Sequence, residues 1–339
     1  NIHLNVFVCE FITGGGLYRD SLPASLLKEG ELMRDAVLRD FAQLADVELS
    51  TTVDIRAQQP NHAHKIKEIR VEDDVWDIWH ACMQEADAVL IIAPEMGGML
   101  TRLTRMAESL GKMVLGCASS AVEIATDKWL TYLHLQQNQI PTLMTYQYAD
   151  WTKLNHTINQ WIAKPRDGVG CGDLQYFENI HDLDTSMQSR KETHLIQPFQ
   201  KGIAASFSML CRGGQAFLIS CNRQKIHITP SAVTYNGGVV NELIQHQAAF
   251  EILAQKIVDA FPGLGGYVGV DLIVDQLDGQ YRYYIVEINP RLTTSYVALH
   301  QACGVNPARM LLDLFYNEVF MMPVITHHKV EVSLNDPIN

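Results

Sequence analysis

Residues 281–296, YRYYIVEINPRLTTSY, decide how the rest of the chain is read. An apolar strand ends there by releasing Glu287, Asn289 and Arg291 at every second position, which puts three polar side chains on one strand face. Unpaired buried charge is costly, so Glu287 beside Ile285, Val286 and Ile288 implies a charged group opposite it. A metal-bound phosphate meets that requirement.

Working outward, residues 266–275 and 281–290 read as a hairpin around Asp278-Gly279. A two-residue loop sets Asp271 opposite Val286, whereas a three-residue loop sets it opposite Glu287; the expectation is the latter. Two carboxylates ~4 Å apart repel by roughly 4 kcal/mol at an effective dielectric of ~20, so a cation is required. Asp271, Glu287 and Asn289 offer oxygen ligands only, a set suited to Mg2+, with Mn2+ as the other hard cation, and not to softer metals. A salt-bridge network with Arg291 is the competing reading.

The chain has 339 residues, enough for two or three domains. It is 47% hydrophobic and 19% charged with no run of membrane-spanning length, and residues 2–11 lack the basic leader of a signal peptide, so a cytoplasmic protein without membrane partners is expected. The net charge of -12 with scattered basic residues argues against nucleic acid. Seven cysteines, widely spaced and without a CxxC, read as reduced, mostly buried thiols. His62 and His64 fall in a polar stretch that reads as a solvated loop.

Residues 3–11 form a strand, followed by Thr13, Gly14, Gly15 and Gly16, either a loop that brings backbone N–H groups to a ligand or a flexible turn. A helix over 26–44, a strand over 47–53, a helix over 75–84, the buried-type strand 88–93 and a Gly-bearing loop containing Glu95 complete an open α/β sheet ending near residue 117. Ligands of such sheets bind at the carboxyl edge. Neither GxGxxG nor GxxxxGK[ST] occurs.

Lys128 sits in the first turn of a helix capped by Thr126 or Asp127, the unfavourable end for a cation, so it reaches away toward an anion or into solvent. Lys164 lies on an apolar strand, and Asp167, Gly168, Gly170 and Gly172 follow in a glycine-rich turn that can fold over phosphate oxygens or simply close a hairpin. Gln197, Pro198 and Phe199 form a strand end and candidate hinge. On the strand over 215–228, Arg223 and Lys225 share a face, as a solvated rim or an anion clamp.

Lys128 in SSAVEIATDKW, Lys164 in IAKPRDGVGCG, IQPF at 196–199, Asp271 in GVDLIVD and EINPR at 287–291 resemble, in order and spacing over about residues 1–320, the ATP-grasp superfamily. The resemblance implies an α/β and α+β architecture: an N-terminal domain over 1–117, a small lid over 118–197, a catalytic subdomain over 198–329 and a tail over 330–339. It implies ATP between the lobes, held by Lys128, Lys164, the 168–172 loop and a hinge at Gln197 to Phe199. It also implies Mg2+ on Asp271, Glu287 and Asn289.

Two departures stand out: Ala204 and Ala205 occupy the place of an acidic ribose contact, and Gly269 that of an arginine, whose charge Arg223 or Arg291 would supply. The implied chemistry is ADP-forming carboxylate–amine ligation through an acyl phosphate on small-molecule substrates, and a homodimer is compatible with it. The opening FVCEFITGGGLYRDSLPASLLKEGELMRDAVLRDF is similar to the branch containing the tyramine–glutamate ligases of methanofuran biosynthesis. That implies glutamate as acid and an aromatic amine as acceptor, with Thr13 to Gly16, Glu95, Thr293, Ser295 and Tyr296 as candidate substrate contacts. Another amino-acid ligase and a non-catalytic ATP-binding regulator are the alternatives.

Overall fold

The computed structural model describes residues 3–155, 157–167, 174–229 and 232–334. The first layer alternates strands and helices: β1 (Leu4–Glu10), α1 (Ala24–Ala42), β2 (Val47–Asp54), β3 (Lys65–Ile69), α2 (Val75–Glu85), β4 (Ala88–Ile92), α3 (Met99–Ser109) and β5 (Met113–Val114). The strands form a parallel sheet in the order β3-β2-β1-β4-β5. Every residue of β4, AVLII, is buried, as suits a parallel strand covered on both faces. Strand β3 occupies ground beside the stretch expected to be loop, and His64 next to it accepts a hydrogen bond from Leu49 N–H through Nδ1. The edge strand β5, where the first sheet ends, has two residues.

Helices α4 (Ser119–Thr126) and α5 (Lys128–Gln137) lead to α6 (Tyr148–Trp151) and a second sheet. There β6 (Trp161–Pro165), β7 (Gln175–Phe177), α7 (Ile180–Met187) and β8 (His194–Pro198) assemble with strand order β7-β6-β8. Asp127 caps α5 by accepting from Trp129 and Leu130 N–H, and the Arg166 guanidinium binds the same carboxylate, tying β6 to that helix end.

The third sheet, in the order β13-β12-β9-β10-β11-β14, contains β9 (Ile203–Arg212), β10 (Gln215–Thr229), β11 (Ala232–Val240), β12 (Gly266–Leu277), β13 (Gln280–Asn289) and β14 (Val330–Ser333). Helices α8 (Gln247–Ala260), α9 (Leu299–Cys303) and α10 (Pro307–Tyr316) pack around it. Asn306 caps α10, with Pro307 in its first turn. The segment expected to be a tail instead supplies β14, antiparallel to β11. It lies against Gly237 and Gly238, where an added Cβ at Gly237 would meet the Val332 carbonyl oxygen.

One apolar cluster runs from Phe7, Trp79 and Ile91 through Ala121, Val122 and Ala125 of α4 to Phe207, Phe250, Ile285 and Ile288. The first and third sheets therefore share a core. A second cluster joins α1 to α10 and the Leu292–Leu299 segment. No helix of the described residues is long and apolar enough to cross a membrane.

Candidate active site

The β12–β13 hairpin sets the site, by a route that differs from the expected one. Its turn has two residues, Asp278 and Gly279, both at positive φ, and pairs Leu277 with Gln280. That register holds to Leu272 opposite Ile285; a bulge then skips Val286 and brings Asp271 opposite Glu287. The pairing is as expected, but the bulge, not a three-residue loop, produces it. The bulge also keeps Ile285 and Ile288 together in the core, three residues apart. In unbroken alternation Glu287 would share the core face of Ile285.

Asp271 accepts hydrogen bonds from Gln224 Nε2 at 3.0 Å and Asn289 Nδ2 at 3.3 Å. Burial and then the Glu287 charge push its carboxyl well above the usual range, against the opposing effects of Asn289, Arg291 and Gln224. Across the site, Lys128 Nζ lies 3.6 Å from both Glu95 Oε2 and Glu287 Oε1, and Arg291 Nη2 lies 3.5 Å from Glu95 Oε1. Burial raises the Glu95 carboxyl well above its ordinary value and the Glu287 charge adds to it, against the opposing charges of Arg291 and Lys128. Burial would raise Glu287 too, but the charges of Lys128, Lys164 and Arg291 and the neighbouring Glu95 outweigh it and bring its carboxyl down to about 2. Burial disfavours the Lys128 charge, yet Glu287 and Glu95 more than restore it. Lys164, fully buried on β6, is brought down to about 8 by burial and by the neighbouring Lys128 charge.

Two cavities meet at Asp271 and Glu287. One, of about 340 Å3, lies between the second and third sheets and is lined by Lys128, Lys164, Gln197, Pro198, Phe199, Ala204, Ile273 and Val286. Gln197 is fixed there by donating from Nε2 to Thr145 Oγ1 at 2.8 Å, and Phe199 packs edge-on against Tyr176. The other, of about 460 Å3, lies between α1 and the third sheet and is lined by Leu26, Glu29, Met33, Pro94, Tyr235, Asn289, Arg291, Thr293 and Ser295.

Buried Glu95 Oε1, Glu287 Oε1 and Arg291 Nε have no hydrogen-bond partner among the described residues. No group of three or more His, Cys, Asp and Glu among those residues could hold a metal alone. Two carboxylates, one of them with an unsatisfied oxygen, and a neutral amide fit a hard cation that takes its remaining ligands from phosphate and water, as Mg2+ does.

Several expected contacts lie elsewhere. Thr13 to Gly16 line neither cavity: Glu10, buried at the end of β1, accepts from Ile12 and Thr13 N–H, and Gly14 N–H donates to the Glu10 carbonyl. The Ile12, Thr13 and Gly14 donors are thus spent on Glu10, and the Gly16 N–H on the Phe11 carbonyl. Gly14 is required because a Cβ there would stand 2.4 Å from the Glu10 oxygen. Tyr296 points away from both cavities and donates to Asp40 of α1 at 2.8 Å, with His300 Nδ1 at 2.9 Å from the other Asp40 oxygen. Glu95 belongs to the Lys128–Arg291 network and not to the lining of the larger cavity.

Thr293 and Ser295 do line that cavity, held by Tyr267 OH and Asn222 Nδ2 respectively. Asp167 accepts from Gly97 N–H, joining the β6 loop to the β4 loop. Gly168, Gly170 and Gly172 lie outside the described residues. Arg223 borders the smaller cavity as an exposed side chain, while its neighbours Asn222 and Gln224 face Ser295 and Asp271. Gly269 cannot be an arginine, since Thr293 Cγ2 would stand 2.4 Å from its Cβ. Gln224, Glu10 and Glu29 were not read from sequence; the polar alternation of Asn222 and Gln224 on β10 was the available signal for the first.

Comparison with known proteins agrees with this geometry. An ATP-grasp domain model matches residues 125–295, and a pre ATP-grasp 3 domain model matches residues 47–122. A tyramine–L-glutamate ligase of Methanocaldococcus fervens is 32% identical over 284 residues, covering 81% of this chain and 83% of that protein. Its counterpart in Methanocaldococcus jannaschii is 31% identical over 280 residues, covering 81% and 79%. The crystal structure of an ATP-grasp superfamily protein from Archaeoglobus fulgidus superposes with a TM-score of 0.67 at 23% identity, covering 97% of this chain and all of that one. The chain belongs to the ATP-grasp family and is a carboxylate–amine ligase that forms C–N bonds.

Proposed function

We propose that the protein joins a carboxyl group of glutamate to an aromatic primary amine such as tyramine, with ATP, Mg2+ and an acyl-phosphate intermediate. The observation that carries the reading is the junction of the two cavities at Asp271 and Glu287, where Lys128, Lys164 and Arg291 concentrate positive charge on buried walls. The two relatives at 31–32% identity support the choice of substrates.

In this reading the smaller cavity takes the nucleotide, with its base against Phe199 and its phosphates toward Lys128 and Lys164. Asp271, Glu287 and Asn289 would hold Mg2+, which supplies charge neutralisation on the phosphates. A carboxylate oxygen of the acid, entering from the larger cavity, attacks the γ-phosphorus and ADP leaves. The neutral amine nitrogen then attacks the acyl carbon, inorganic phosphate departs with the C–O electron pair, and the amide forms on loss of the amine proton. Lysines and Arg291 act by placing positive charge where phosphoryl charge spreads, so no nucleophilic side chain is needed.

ADP release measured over a panel of acids crossed with amines tests the assignment. Turnover is expected only when glutamate and an aromatic amine are both present. Turnover with other acids and none with glutamate refutes it.

A further inference from the structure

On the α1 wall of the larger cavity, Glu29 faces a space bounded by Leu26, Met33 and Pro94 and, from the third sheet, Arg291. Its carboxylate makes no hydrogen bond or ion pair with another described residue. Burial pushes its pKa up, while the charge of Arg291 draws it down. A half-buried carboxylate against apolar side chains is costly unless something cationic meets it. Negative Glu29 and positive Arg291 therefore border one cavity, whose lining also includes Lys28 and Glu10, and together can receive a molecule that carries both charges.

We propose that Glu29 reads the ammonium group of the acid substrate, so that the acid ligated is an amino acid whose reacting carboxylate points toward Arg291 and the Asp271–Glu287 junction. This rests on the ligase reading above and adds a specificity residue to it. A dicarboxylate of the same length without the ammonium leaves Glu29 desolvated and unpaired, and is rejected for that reason.

Calorimetric binding of L-glutamate and of glutarate tests the assignment, with Mg2+ and a non-hydrolysable ATP analogue present, in wild type and in Glu29→Gln. Affinity for the ATP analogue serves as the control for an intact fold. Wild type is expected to prefer glutamate by about tenfold or more, the scale of one charge-assisted hydrogen bond. Glu29→Gln is expected to bring the ratio close to one without changing nucleotide affinity. Equal ratios in the two proteins, or wild type binding both acids alike, overturn the assignment. If aspartate binds and glutamate does not, with preference over succinate lost in Glu29→Gln, the glutamate reading fails and the role of Glu29 stands; if no amino acid binds, the role of Glu29 fails.

Discussion

Replacing Lys128 with methionine removes the cation that stands 3.6 Å from both Glu95 and Glu287, and the geometry sets the size of the effect. With both N···O distances at 3.6 Å, each attraction is about 5 kcal/mol at an effective dielectric of ~20. Most of that gross sum is returned, because the lysine no longer has to be desolvated and the carboxylates can take up protons. The usual loss on removing one partner of a buried pair is ~3–5 kcal/mol, or roughly 4–7 °C in melting temperature for a chain of this size.

Sign and pH dependence follow from Glu287, whose carboxyl is held below its ordinary value with Lys128 the chief opponent of burial. Stability from such a group is fully present above its unfolded pKa and is lost as pH falls from the ordinary carboxylate range through the folded value of about 2. The gap between wild type and Lys128→Met should thus be widest near neutrality and close in acid. Mg2+ should raise the melting temperature of the variant more than that of wild type, since Glu287 then lacks its ion-pair partner Lys128. Differential scanning fluorimetry from about pH 2 to 8, with and without Mg2+, reads all three effects. An unchanged melting temperature at neutral pH, or an identical Mg2+ shift in both proteins, would refute the reasoning.

Two further outcomes are expected. Lys164, brought down to about 8, loses its charge in the free protein above that pH, so ATP binding there should take up a proton and weaken by about tenfold per pH unit. Calorimetry in buffers of different ionisation enthalpy checks this, and a pH-independent affinity up to 9.5 would remove Lys164 from the phosphate site. Tyr296→Phe deletes a hydrogen bond to the buried Asp40 carboxylate and should lower stability by ~1.5–3 kcal/mol, read by urea unfolding, with ATP affinity preserved. Lost ATP affinity in that variant would mean that Tyr296 does more than join α1 to the third sheet.

The residues that could be read from sequence are those whose polarity contradicts their setting. Glu287 and Asn289 on an apolar strand, and Lys164 beside Trp161 and Ala163, are costly to bury alone, and that cost points to a ligand. Tyr296 misled because a tyrosine near polar neighbours looks ligand-facing, while its true partner, Asp40, is 256 residues away in the chain. The glycine run misled because sequence shows that a backbone can approach something closely, not what it approaches; here it is Glu10 and the Phe11 ring. Glu29 was hidden by its helix, where an acidic residue in α1 looks like any solvated position until the third sheet closes over it.

The bulge at Val286 separates the hairpin into two independent lengths. Residues 272–285 can keep the register of a tight Asp278-Gly279 turn, while Asp271, Glu287 and Asn289 answer to a different alignment beyond the offset. Changes in the composition of the tip are therefore insulated from the Asp271–Glu287 pair, and a designer could graft a new turn sequence there without shifting that pairing. Excising Val286 alone would close the offset into regular pairing, with Ile285 and Ile288 two apart on the core face and Glu287 still opposite Asp271, whereas a deletion on the tip side with Val286 kept would carry a register change toward the core.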